Sequence, residues 1–153
     1  MKSVSTILIG IVLILTAMNT AYAVGYSFNA FDFPLAYTNC QCNATVPLGI
    51  NNAGTIVGWY STGVGLPTHA FIQNGSTITS FDYFNAFHST TYPNGINDAG
   101  TVVGDFEALT GYHHGFTLIS GIYTYFHDGP LVNQTSYTGI NGAGSIVGIN
   151  CNN

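Results

Sequence analysis

Beyond Lys2 the chain contains no lysine and no arginine, and charged residues make up only 5% of it. Its acids are Asp32, Asp82, Asp98, Asp105, Glu107 and Asp128, so the formal net charge is -5 at pH 7. A surface without cations cannot neutralise a phosphate backbone, which excludes nucleic acid as a partner. It also excludes Lys and Arg salt bridges and leaves trypsin nothing to cut past Lys2. Solubility has to come from Asn, Ser, Thr, Tyr and the backbone. No apolar run reaches the roughly 20 residues of a membrane-spanning helix, and past the N-terminus no window keeps a helical period of 3.6. Gly-x-Ser-x-Gly, phosphate-loop and His-Glu-x-x-His motifs are all missing. No catalytic activity and no cofactor are therefore expected.

The N-terminus reads as an address. Lys2 supplies a minimal basic region, residues 7–15 an apolar segment, and Ala21-Tyr22-Ala23 a small-x-small cleavage site. The expectation is a signal peptide over 1–23, secretion or display at the cell surface, and no membrane association after cleavage. Residues 24–153 then form one domain. In an exported chain Cys40, Cys42 and Cys151 are disulfide candidates. A bridge from Cys40 or Cys42 to Cys151 would tie the two ends together and stabilise by about 4–5 kcal/mol in the chain-entropy model. One cysteine is left over, free or paired with another chain.

What the sequence does hold is repetition. "GINNAG" at 49–54 returns as "GINDAG" at 95–100 and "GINGAG" at 139–144, spaced by 46 and 44 residues. Each copy is followed by a similar strand: "TIVGWY", "TVVGDF" and "SIVGIN". The first two copies continue with "THAFIQNG" then "TITSFDYF", and "HHGFTLISG" then "IYTYFHDGP". "YSFNAFDFP" at 26–34 is an isolated match to the last of these elements. Ile, Val, Thr, Tyr and Phe fill each piece, and Gly, Asn and Pro punctuate, so each reads as a strand. The expectation is roughly eleven strands: a leading strand at 26–34, two full four-stranded units, and two closing strands.

The turn has a local logic. Asn accepts from the backbone two residues on, Ala sits in a type I turn, and Gly54, Gly100 and Gly144 take the positive-φ position of a bulged hairpin. The paired apolar residues that follow predict a strand buried on both faces. Gly58, Gly104 and Gly148 predict the close approach of a neighbouring backbone. Such a strand fits a β-propeller blade, giving an all-β arc of about three four-stranded antiparallel repeats. A β-trefoil or a β-prism is the alternative. Three blades fall short of the four or more that close a propeller, so open ends and self-association follow.

These motifs resemble the bacterial extracellular HAF-repeat proteins, whose unit is Gly-Ile-Asn-x-x-Gly-x-Ile-Val-Gly, then His-x-Phe, then an Asp and Pro region. The matching residues include Gly49-Ile50-Asn51, Ile56-Val57-Gly58, His69-Ala70-Phe71 and Asp32-Phe33-Pro34. The second and third copies match through Gly95-Ile96-Asn97, Val102-Val103-Gly104, His114-Gly115-Phe116, Gly139-Ile140-Asn141 and Ile146-Val147-Gly148. The resemblance implies export and a propeller-like β architecture, and no particular activity.

Candidate site residues are few. His69 and His114 recur at equivalent places and read as structural, each ring bonded to nearby backbone. Asp105, Glu107, His113 and His114 flank one hairpin and form the weak metal candidate. Asp98 lies in a turn without the spaced carboxylates of a calcium loop. Asp32, Asp82 and Asp128 read as turn formers. Trp59 has no aromatic counterpart in the other copies, and with Tyr60 it is the candidate ligand contact, since aromatic faces beside Asn and Asp can hold sugars. The expected role is structural or interactive, with a small lectin-like carbohydrate-binding module as the alternative.

Overall fold

The computed structural model describes residues 30–34, 36, 45–84, 86–125 and 134–151, without the side chains of 86–89. The expected leader, Cys40, Cys42 and Asp128 lie outside the described residues. The fold described below lies within the compact unit Asp32–Asn153.

The fold is all-β. Repeat 1 holds β1 (Thr45–Ile50), β2 (Ile56–Ser61), β3 (Thr68–Asn74) and β4 (Thr77–Phe81). Repeat 2 holds β5 (Ala86–Ile96), β6 (Val102–Ala108), β7 (His113–Ile119) and β8 (Ile122–Tyr125). Repeat 3 contributes β9 (Gln134–Ile140) and β10 (Ile146–Cys151). The strands form antiparallel sheets in the orders β1-β2-β3-β4, β5-β6-β7-β8 and β10-β9, and among the described residues no barrel closes. The leading strand expected at 26–34 does not form over its described part, residues 30–34, and the described residues hold ten strands where roughly eleven were expected of the chain. Residues 31–33 instead match the link after β4. Phe33 stacks on Tyr60 at 3.7 Å as Tyr83 stacks on Phe106 at 3.8 Å. Their amides also match: Phe33 N–H donates to Thr45 Oγ1 and Tyr83 N–H to Thr91 Oγ1. The segment before a sheet inserts a ring into it, and the hydroxyl of the sheet's first strand holds the backbone there.

Each Gly-Ile-Asn turn forms as the sequence implies. Gly54 N–H donates to Asn51 C=O at 2.9 Å, and Gly100 and Gly144 repeat this with Asn97 and Asn141. Asn51 Oδ1 accepts from Ala53 N–H and Thr55 N–H, and Asn141 Oδ1 from Ala143 N–H and Ser145 N–H. The glycine after the turn has φ of +77° to +83° in the three copies, a region costly to residues with a Cβ. The later glycine has another task. All three repeats carry a bulge in the first strand of the pair, and Pro47, Pro93 and Tyr137 lie opposite Gly58, Gly104 and Gly148. A Cβ there would run into the carbonyl oxygen of Val46, Tyr92 or Ser136. The bulge brings backbone onto backbone, and only glycine leaves room for it.

Repeats pack in order. β5 lies against β1, β2 and β3, and β9 lies against β5, β6 and β7. Val57, Tyr83, Ile96, Val102, Phe106 and Phe116 form one core cluster drawn from both four-stranded repeats. The expectation of a doubly buried strand after the turn holds for Val102 and Val103, which are 1% and 0% exposed. It fails in repeat 3, where Ile146 is 37% and Val147 64% exposed, because nothing among the described residues packs beyond β10.

Candidate functional site

Strand register gives each repeat position its counterpart. Gly58 pairs with Phe71 and Gly104 with Phe116, so Trp59 is matched by Asp105, Tyr60 by Phe106, Thr68 by His113 and His69 by His114. One position therefore carries an indole in repeat 1 and a carboxylate in repeat 2. Around it the chemistry of the molecule concentrates.

Asp105 is buried on β6. Its Oδ1 accepts from Asn94 Nδ2 at 2.9 Å and from Ser136 Oγ at 2.6 Å. Its Oδ2 lies 2.7 Å from His113 Nδ1. An ionised carboxylate only accepts, so Nδ1 carries the proton. Asn94 is the bulge residue of β5 and also donates to Tyr137 C=O, which ties β5, β6, β7 and β9 to one carboxylate. The hydrogen bond to Asp105 raises the pKa of His113 above its usual value. Burial opposes the shift, and the charges of Asp105 and Glu107 add to it. Tyr92 stacks on the His113 ring at 6.0 Å, and Trp59 meets Tyr92 edge-on at 6.2 Å. A cavity of about 290 Å³ opens beside the pair, lined by Asp105, His113, Gln134, Ser136, Ile149 and Cys151 among others. Cys151 ends β10 as an exposed free thiol.

The expected metal set is not assembled. Only Asp105 and His113 meet. Glu107 lies opposite His113 in the ladder, whereas His114 lies opposite Phe106 and contacts that ring at 5.8 Å. Among the described residues no group of three His, Cys, Asp or Glu side chains is placed to hold a metal ion. Alternation explains why His114 is left out, because neighbouring strand residues His113 and His114 point to opposite faces.

The His69 ring, expected to bond to nearby backbone, meets a carboxylate instead. Its Nδ1 lies 2.8 Å from Asp82 Oδ2, and Asp82 Oδ1 accepts from Ala70 N–H at 3.1 Å. Asp82, expected as a turn former, thus clamps the link after β4 onto β3. Burial raises its pKa, partly offset by its bonds to His69 and Ala70. Tyr60 is corrected too. It is 4% exposed, stacked under Phe33, with its hydroxyl on Ser80, so it belongs to the core. Trp59 is half-buried.

Two features escaped sequence reasoning. Asn51 Nδ2 donates to Asn97 C=O at 3.2 Å, and Asn97 Nδ2 donates to Asn141 C=O at 3.3 Å. The same amide that closes its own turn therefore reaches the next repeat, and the recurrence of Asn at all three turns was the available signal. Asp98 brackets the neighbouring turn, accepting from Asn52 N–H at 2.8 Å and from Asn52 Nδ2.

Comparison of the chain with protein-family models, curated proteins and solved structures finds no match.

Proposed function

We propose that the chain is an exported repeat scaffold, without catalytic activity, that acts by structure and interaction at the cell surface or beyond it. The observation that carries this reading is where the functional groups are spent. Asn51, Asn97, Asp98, Asp105 and Ser136 all bond from one repeat to the next. Trp59 and Tyr92 likewise meet across a repeat boundary. Side chains that other folds devote to ligands hold this stack together. The repeated packing of β5 on repeat 1 and of β9 on repeat 2 supports a propeller-like arc over a trefoil, which needs a closed barrel. The HAF-type resemblance and the leader-like N-terminus support export.

The carbohydrate-binding alternative has less behind it, since Tyr60 is buried and Trp59 is committed to Tyr92. The test pairs two measurements on the purified chain: its mass in solution and its binding to a glycan array. A discrete oligomer or fibre that ignores glycans is the expected result. A monomer that binds a sugar and loses it on Trp59→Ala would replace the scaffold with the lectin.

A further inference from the structure

Resting on the scaffold reading, we infer that the chain associates head to tail with a second copy of itself, the β10 face of one copy seating on the β1 face of the next. The argument comes from what the same positions do inside the chain. At the first boundary Val57 is fully buried in the cluster that holds Ile96, itself 7% exposed. At the second boundary Val103 is fully buried. Val147 is the third member of the first series and is 64% exposed. Ile50 is the counterpart of Ile96 and is 67% exposed. One end of the stack thus shows the valine of an internal boundary, and the other end shows its isoleucine. The two surfaces differ from each other, and each is complementary to the other by the same packing that the chain already uses.

Three further features fit. A depression of about 360 Å³ lies on β9 and β10, lined by Tyr137, Ile146, Val147 and Ile149 among others. The asparagine relay also continues. Asn51 reaches Asn97 and Asn97 reaches Asn141, so Asn141 Nδ2 and the Asn51 carbonyl are its two ends. Joining copies would add the same bond between them. Glycine permits the approach: a Cβ on Gly49 would sit 3.1 Å from the Cα of Gly95, and one on Gly95 3.5 Å from the Cα of Gly139. The joint would bring Gly139 of one copy to Gly49 of the next. Contacts of this heterologous kind close into rings or run on as filaments.

The experiment uses Val147→Lys and Ile50→Lys. Both positions are exposed, so both variants keep the fold, which far-UV circular dichroism and an unchanged melting temperature verify. Light scattering at high micromolar concentration should find the wild type assembled and each variant alone monomeric. An equimolar mixture should form a species of twice the monomer mass and nothing larger, because each variant retains one intact face. A monomeric wild type overturns the inference together with the scaffold reading. Assembly that survives both substitutions overturns the inference alone and leaves the scaffold standing on another surface. Variants that stay monomeric when mixed also overturn it, since they indicate a symmetric contact that needs both residues on one face.

Discussion

Removing the Asp105 side chain should be among the most damaging polar changes available to this fold. Asp105→Ala strips the acceptor from Asn94, Ser136 and His113 at once, at a site that is 6% exposed. A hydrogen bond to a charged group contributes about 1.5–3 kcal/mol net, and a buried donor left without a partner costs about 1–3 kcal/mol. The three donors do not suffer equally. Asn94 keeps Tyr137 C=O, and His113 is exposed enough for water to reach it. A total near 3 kcal/mol follows, about that of one fully lost charged bond and part of a second. With an unfolding entropy of about 2.1 cal/mol/K per residue over roughly 120 residues, the melting temperature should fall by about 12 °C. The loss should depend on pH. The folded-state pKa of His113 is raised by Asp105, so its contribution is fully present below about 6.5 and fades as pH rises through the higher folded value. Urea denaturation of both proteins at pH 6 and pH 9 measures this. The stability gap should be wider at pH 6. A gap below about 1 kcal/mol at both pH values, or one that widens toward pH 9, would refute the reasoning.

Three further outcomes are expected. Tyr123 buries a hydroxyl that has no partner among the described residues, and burial raises its pKa. Tyr123→Phe should therefore stabilise by about 1 kcal/mol, seen as a higher urea midpoint. Val103→Ala should cost about 2 kcal/mol, and Val147→Ala less than about 0.5 kcal/mol when both are measured at dilutions where the chain is monomeric, because only the first is buried. Ser120 holds φ of +50° beside Gly121 in the β7–β8 turn. Ser120→Asn should raise the melting temperature by a few degrees, since Asn tolerates that region better and Asn-Gly suits such a two-residue turn.

The sequence disclosed the scaffold better than the site. The hairpins were legible because Asn-x-Ala-Gly turn chemistry is local: it involves a side chain, a backbone two residues on and one positive φ. Gly58 and its counterparts were legible as close approaches for the same reason. The alternation of β6 and β7 was legible as strand, but the expected metal set ignored its consequence, that His113 and His114 leave on opposite faces. The Asp105 clamp was not legible, because its donors come from residues 94, 113 and 136 and only tertiary packing brings them together. Tyr60 misled through its aromaticity, since nothing local indicates that Phe33 lies on it. The described end of the expected leading strand misled through likeness. Residues 31–33 do match the segment after β4, and that segment is a ring-inserting link rather than a strand.

The asparagine relay makes turn closure and neighbour contact one event. Asn51 cannot hold its own hairpin with Oδ1 in the native geometry without also presenting Nδ2 to the adjoining turn. A nearest-neighbour chain with this coupling resists opening in its middle and frays from its ends. Amide exchange should accordingly be slowest where both neighbours are in place, around residues 97–101, and fastest at 141–145, which has no outward partner among the described residues. Joining copies would turn each frayed end into an interior position. A filament of this chain would then exchange its end hairpins as slowly as its central one, and its kinetic durability would grow with its length.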